Sequence, residues 1–544
     1  MFSRVNALSI VERAFRFLPA TFCIVASLLF IGCGHKESTA DIIIVNGAEP
    51  ESLDPAIITG QPDIRVVGSM FEGLTRFDPV TGEGVAGLAD HWDISEDRRQ
   101  YTFYLRTNTF WSNGEPLTAH DIVYSWLRAL NPLTAADYAG QLYFVENAEA
   151  YNSGKIKDPD QVGVHAPNDR TVIVQLRSPC PFFLDLCAFP TLSAVPRKWI
   201  EAHGDRWIMT QPLPVSGAYL LEYWRIHDKI RLRKNPRYWD VANTRNNIVD
   251  ILPVDSATIA MNLYETGQAD LVWDKSVIPM ELIGVMRDRP DCHRFPFLGN
   301  YFIRVNVTKK PLSDPRVRKA LALCIDKKKL VEKICKAGEK PADNLTPDGT
   351  ANYEPPESLK YDPDLARQLL KDAGYPDGNG FPSLQYLFNS ARHNEQMGVE
   401  LQEIWQRELG IHIELRQVEW KVYLSAQSQL DYDLSRSSWI ADYNDPNTFL
   451  DMWTSNNGNN RTGWKDPKYD ELWNEANREP DIKKRAHILA RAETLLLRDA
   501  VPVIPIYYWV GVMFYKTNEL EGVYGNVVDE HPIQPIHRIG PPRR

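Results

Sequence analysis

The chain has 544 residues, of which 43% are hydrophobic and 24% charged, and a formal net charge of −10. That is ordinary globular composition, with material for about two to four domains. An acidic chain lacks the basic footprint on which nucleic-acid binding rests, so no nucleic-acid partner is expected.

Arg4, Arg13 and Arg16 precede an apolar run from Phe17 to Ile31 that ends in FIGCG. A basic region, a short apolar region and a small residue at Gly32 are the marks of an export signal. The run is too short for a comfortable membrane span. Gly32-Cys33 resembles a bacterial lipobox, in which the Cys becomes the lipid-modified first residue; Phe30 stands where that motif usually has Leu. The polar GHKESTA then suits a short tether. The first 32 residues carry three Arg against Glu12, a net of +2, which leaves −12 on the rest. Such a body suits cationic or zwitterionic small ligands, or serves solubility alone.

DIIIVNGAEPESLDP reads as a short strand ended by Asn46-Gly47, then an extended stretch containing proline. In YTFYLR, Tyr101, Phe103 and Leu105 alternate with Thr102, Tyr104 and Arg106, a strand with one buried face. Thr118 and Asp121 stand in capping-box spacing ahead of a helix carrying Ile122, Trp126 and Leu130. RTVIVQL and DKIRLRKN read as strands. In SDPRVRKALALCID, Ser313 or Asp314 caps, Pro315 takes the first turn, and Val317, Ala320, Leu321 and Cys324 share a face. NEQMGVELQEIWQRELG is a helix with Met397, Leu401, Ile404 and Trp405 inward and Gly410 as its stop. IHIELRQVEW alternates as a strand, DIKKRAHILARAETLLLRD is an amphipathic helix, and AVPVIPIYYW is a strand-like run bracketed by prolines. TSNNGNNRTG reads as a loop tip. Helices and strands alternate without repeats or linkers, which gives an α/β class.

Beyond Cys23 and Cys33 lie Cys180, Cys187, Cys292, Cys324 and Cys335. Export permits disulfides; Cys180 and Cys187 bracket PFFLDL and are spaced to close a small loop, while an odd count leaves at least one thiol over. Neither CxxC nor metal-ligand His spacing occurs, so no metal is expected. Nucleophile-elbow, P-loop and zincin fingerprints are missing. DYNDPN fails the EF-hand pattern, because Asn447 stands where that loop needs Gly and Trp453 stands at its final ligand position. No cofactor and no catalytic residue are expected.

SSWIADYNDPNTFL poses a question. Trp439, Ile440 and Ala441 read as buried chain, and the carboxylate of Asp442 follows at once. A buried carboxylate is costly without a cation. Either Asp442 finds a partner in the chain, with Arg436 or a turn as the options, or the partner arrives from outside.

Several segments carry a resemblance. EPESLDP, LADHWDISEDRRQYTFYLRTNTFWSNGEPLTAHDIVYSWLRAL, VSGAYLLEYWRIHDKIRLRKNPRYWD, KPLSDPRVRKALALCIDKKKLV and WIADYNDPNTFL resemble, in order, blocks of the family-5 extracellular solute-binding proteins, specifically the oligopeptide-binding proteins of ABC importers. The resemblance runs from about Ile42 to Tyr524. It implies a two-lobed periplasmic-binding-protein fold, type II and cluster C-like, with an extra small domain inserted. After a signal (1–32) and a tether (33–41), lobe I takes 42–62, 189–298 and 510–544, the inserted domain 63–188, and lobe II 299–509. The lobes close on ligand like a hinged trap.

The resemblance also implies an activity and a site. An extended peptide pairs with protein backbone like an added strand, here at Glu49, Pro50 and Glu51 and at Ser438, Trp439 and Ile440; Pro50 offers only its carbonyl. Asp442 takes the ligand's α-amino group, Tyr124 lines that end, and Trp420 walls a side-chain pocket. Arg436 and His393 take the ligand's carboxylate, His393 falling one residue from the usual His, and Gln427 replaces a basic residue of the best-known members. A disulfide found in such members is absent, since its positions are Gly299 and Ile440. The expected partners are an oligopeptide and the permease and ATPase subunits of an ABC importer, met by a monomer anchored outside the cytoplasm through Cys33. Relatives that take nickel complexes, sugars or cell-wall peptides set the range of other ligands, and DYNDP favours peptide. A secreted hydrolase using a carboxylate pair in the cleft is the competing class.

Overall fold

The computed structural model describes residues 37–279 and 282–540. The strands that build its two larger sheets are β1 (Ile42–Val45), β2 (Ala89–Ile94), β3 (Gln100–Leu105), β4 (Val164–Asn168), β5 (Thr171–Gln175), β6 (Tyr219–Arg225), β7 (Lys229–Lys234), β8 (Ile248–Leu252), β9 (Leu271–Val272), β10 (Cys292–Val305), β11 (Leu384–Asn389), β12 (Ile413–Val418), β13 (Leu434–Ile440) and β14 (Val503–Tyr515).

An eleven-stranded mixed sheet runs in the order β12-β11-β13-β10-β14-β9-β1-β8-β7-β6, with the two-residue strand Lys340–Pro341 beside β14. At its middle the two long strands β10 and β14 lie antiparallel. Their sequences, CHRFPFLGNYFIRV and VIPIYYWVGVMFY, are rich in the branched and aromatic side chains that suit a pleated, covered surface. β10 continues the ladder to β13, and β14 continues it to β9. Between Pro296 and Asn300 the β10–β14 pairing is interrupted. Each half of the sheet has its own core: Ile44, Val67, Trp207 and Ile251 belong to one, and Leu321, Tyr386, Trp405 and Ile413 to the other.

A separate antiparallel sheet, β2-β3-β5-β4, has a third core. β3 buries Tyr101, Phe103 and Leu105, the face its alternation predicts. Helix α1 (Ala119–Leu130) covers the core with Ile122, Trp126 and Leu130, all fully buried. Its start is held by the Asp121 carboxylate, which accepts the Thr118 N–H at 2.8 Å. Cys180 and Cys187 lie buried in this core as thiols. The loop they bracket is therefore shaped by packing, with Phe183 and Leu186 inside the core, and the disulfide their spacing suggests is not formed.

In the other half, α2 (Pro315–Leu323) is capped by Asp314, whose carboxylate accepts the Arg316 N–H at 2.8 Å. Helix α3 (Arg392–Leu409) stops at Gly410, which takes the left-handed conformation with φ 66. Helix α4 (Trp420–Ser428) leads into β13, and α5 (Asn447–Leu450) follows it. α6 (Ile482–Thr494) packs close by. The polar tract TSNNGNNRTG is a loop but not an exposed tip. Asn460 and Thr462 are buried, and the Asn460 amide donates to the carbonyls of Trp453, Thr454 and Trp464. Asparagine supplies enough donors to satisfy the backbone of an internal loop. No helix among the described residues is long and apolar enough to cross a membrane.

Candidate functional site

Strand β13 is paired along its whole length on one side only. Against β10, every residue from Leu434 to Ile440 has a partner, ending in Gly299 opposite Ile440. Against β11, only Leu434 and Ser435 do. In an antiparallel ladder, successive residues turn their N–H and C=O to alternate sides. Ala441 donates to the Leu298 carbonyl on the β10 side. The Arg436 carbonyl faces the other way and accepts the Tyr423 hydroxyl at 2.6 Å and the Gln427 amide at 3.0 Å, both from α4. Ser438 and Ile440 share the parity of Arg436, so their main-chain groups face the uncovered edge. Ile440, which reads as buried in the sequence, is 42% exposed.

Asp442 stands just past this edge. Its N–H donates to the Thr448 hydroxyl at 3.3 Å, and the Trp439 indole donates to the same oxygen at 3.1 Å. Its carboxylate meets no cation among the described residues, and burial pushes it up to about 6. Arg436 does not reach it: six residues of extended chain span on the order of 20 Å. Tyr443 is stacked flat on Phe182, with ring centroids 3.9 Å apart, and so ties this loop to the core of the small sheet. Asp445 is held at 2.7 and 2.8 Å by both terminal nitrogens of Arg485. One carboxylate of DYNDP is thus spoken for, and the other is left free.

At the opposite end the charges are reversed. The Arg436 guanidinium lies 5.3 Å above the Tyr301 ring, and its Nη2 donates to the Ser438 hydroxyl at 3.2 Å. Its Nε is buried without a partner, and no carboxylate faces it among the described residues. His393 Nε2 lies 2.8 Å from the Tyr507 hydroxyl; burial, reinforced by Arg436, pushes the imidazole down to about 4. His393 and Arg436 therefore share one aromatic cluster despite the one-residue offset in the sequence. Gln427 is a buried prop, donating to Tyr423 and Ser435 as well as to Arg436. Trp420 is 49% exposed and stacks on Tyr423 at 5.3 Å, the posture of a wall.

Two expectations need correction. Tyr124 lies under the Arg197 guanidinium at 5.3 Å, lining a cavity of about 570 Å³ with Arg128 and His165, and the charges that act on it are Arg128, Glu201, Arg197 and Asp54. Besides Tyr443, the next residue along, the tyrosine that feels Asp442 is Tyr138, pushed up to about 12 by burial and then by that carboxylate. α1 turns Tyr124 away, and the turn after it brings Tyr138 in. Second, the stretch Glu49, Pro50 and Glu51 is irregular, and part of it is already engaged. The Glu49 carboxylate accepts the Trp224 indole and the His227 N–H, and the Glu51 N–H donates to Asp63 at 2.6 Å. With Pro50 lacking an N–H, this stretch offers acceptors and no donor from Pro50 or Glu51. Cys33 lies outside the described residues. Tyr301, Tyr507 and Tyr423 went unnoticed in the sequence; their spacing there carries no signal, because β10, β14 and α4 meet only in the fold.

Residues 83–461 match the family model described as bacterial extracellular solute-binding proteins, family 5. The chain belongs to that family. It is 35% identical over 481 residues to the periplasmic oligopeptide-binding protein OppA of Salmonella typhimurium, covering 87% of each chain. A crystal structure of a periplasmic oligopeptide-binding protein from Borrelia burgdorferi superposes with a TM-score of 0.78 at 31% identity, over 92% of this chain and 100% of that one. The structure of Haemophilus influenzae OppA in complex with RPPGFSPFR matches with a TM-score of 0.75 at 30% identity, over 92% and 99%. The family-5 protein described here has their two-lobed periplasmic-binding-protein fold, with β10 and β14 crossing between the halves.

Proposed function

We propose that this family-5 protein captures oligopeptides outside the cytoplasm and hands them to the permease and ATPase subunits of an ABC importer, without a catalytic step. One observation carries the reading: the uncovered edge at Ser438 and Ile440 is flanked by two part-buried charges of opposite sign, Asp442 and Arg436, neither of which has an ionic partner among the described residues. An extended zwitterion with its own strand edge satisfies all three at once. The printed names of the Salmonella and Borrelia relatives, and the peptide in the Haemophilus complex, support the same ligand class. In this reading Asp442 takes the α-ammonium, Ser438 to Ile440 pair with the ligand backbone, and Trp420 walls a side-chain pocket. Arg436, with His393 behind it, takes the carboxylate. The acceptor-rich Glu49 to Glu51 stretch faces the ligand's N–H groups.

The finer reading includes a monomer anchored through a lipid on Cys33, lobe I made of 42–62, 189–298 and 510–544, an inserted domain at 63–188, and lobe II at 299–509. Mass spectrometry of material released from freshly purified protein tests the ligand class. Unmodified peptides at one per protein are expected. A different ligand class, or cleaved products, overturns the proposal and returns the hydrolase reading.

A further inference from the structure

The amine end holds a second acidic side chain that no binding role yet explains. α5 runs on into a short 3₁₀ turn, Asp451–Trp453. Asp451 lies three residues beyond Thr448, and residues three apart share a helix face. Thr448 is the residue whose hydroxyl holds both the Asp442 N–H and the Trp439 indole. Asp451 is therefore one turn along the face that touches Asp442. Its main-chain carbonyl is occupied by the Thr454 hydroxyl and the Asn457 amide. Its carboxylate meets no cation among the described residues, and only the neighbouring Met452 N–H favours the charge. The groups around the pair do not supply a positive charge. Tyr138 faces Asp442, Tyr443 feels both carboxylates, and Tyr469 feels Asp451 from the helix Pro467–Ala476, while its hydroxyl donates to the Leu450 carbonyl. The nearby cation, Arg485, is committed to Asp445.

Two carboxylates that share a poorly solvated space cannot both ionise without a cation between or beside them. We propose that Asp442 and Asp451 form a coupled pair that retains a proton while the cleft is empty and releases it when the ligand's ammonium arrives, so that Asp451 is a positioning residue of the amine site. The step balances: the ammonium keeps its protons, no covalent bond within the ligand changes, and the pair's proton leaves to solvent. The direction of the shifts agrees. Burial pushes Asp451 up to about 8, with Asp442 the next cause, and Asp442 up to about 6. Such a pair titrates as a unit. Because the binding form is the deprotonated one, affinity rises with pH across that range and falls as protons compete below it.

The inference rests on Asp442 being the amine site, and its test separates the two claims. Calorimetry of the full chain with a free-amine peptide at neutral pH, in phosphate and in Tris, reads the number of protons exchanged. The expected result is about one proton released per peptide by the wild type and close to none by Asp451→Asn, with the peptide still bound. Enthalpies that do not depend on buffer in the wild type overturn the proposal and leave peptide binding intact. Absence of any peptide binding overturns the proposed function. In that case carboxyl ¹³C NMR of the empty protein still decides the pair: one Asp signal titrating above neutrality, and lost in Asp451→Asn, supports it, while all Asp signals titrating near their ordinary range refute it.

Discussion

The two ends of the open strand edge are built differently. The Asp442 end is local. Trp439, Asp442, Thr448 and Asp451 lie within one stretch of 13 residues, and the Thr448 hydroxyl links the first two. The Arg436 end is assembled from four distant segments: Tyr301 on β10, His393 on α3, Tyr423 and Gln427 on α4, and Tyr507 on β14. The first end waits with two carboxyl groups that meet no cation among the described residues, whereas the second waits with one guanidinium supported by aromatic rings and a neutral imidazole. One continuous stretch, from the end of β13 through α5 and its turn, supplies the carboxyl groups of the amine end, while the carboxylate end exists only when β10, β14 and two helices have come together.

The sharpest way to break this contrast is Asp442→Asn. Leaving an ammonium without its carboxylate costs about 3–5 kcal/mol, so peptide affinity measured by calorimetry is expected to fall by a hundredfold or more. The same variant is expected to raise Tm of the empty protein at neutral pH. The sign follows from linkage: the folded carboxyl is raised to about 6 from 3.8, so its charge opposes folding above those values and the opposition fades as pH falls between them. A variant that binds normally, or melts earlier, contradicts the desolvated free carboxylate.

Next in size is Arg436→Gln. Loss of a charge-assisted hydrogen bond costs about 1.5–3 kcal/mol, which is expected as a roughly ten- to hundredfold loss for peptides with a free C-terminus. Peptides amidated at the C-terminus are expected to bind the wild type and the variant alike. If the amidated peptide is also weakened, Arg436 acts through the fold and not through the ligand's carboxylate.

Much of the site was legible in the sequence where it is local. The alternation in YTFYLR predicts the buried face of β3 and the Thr118–Asp121 spacing predicts the start of α1, whereas the open edge beside Asp442 is implied only by the family resemblance, because Trp439 and Ile440 read as buried chain. What the sequence hides is distance-dependent. Tyr124 reads as the neighbour of Asp442 until α1 turns it away and the turn at Asp137–Leu142 brings Tyr138 in. Glu51 reads as free backbone until Asp63, twelve residues on, takes its N–H. His393 looks displaced by one position, yet the first turn of α3 brings it to Tyr507. Cys180 and Cys187 are close enough in sequence for a disulfide, and the apolar core around them keeps both as thiols.

The pH response separates the two ends further. His393 is held near 4 by burial and by Arg436, so it stays neutral from about pH 5 upward. Affinity is therefore expected to fall as pH drops from about 8 through about 6 because of the amine end, and His393→Asn is expected to leave that profile in place. A profile that flattens in His393→Asn assigns the titration to the wrong end. The smallest effect is expected from Tyr423→Phe, which removes one donor from the Arg436 carbonyl. A loss of roughly 1 kcal/mol, about fivefold in affinity, is expected, and the amine-end pH profile is expected to stay unchanged.

The most direct test of the account compares a free-amine peptide with its N-acetylated form by calorimetry on the wild-type protein. Acetylation removes the cation and leaves Asp442 buried without a partner, so a loss of two or more orders of magnitude in affinity is predicted. Equal affinity for the two peptides contradicts the assignment of Asp442 as the amine site.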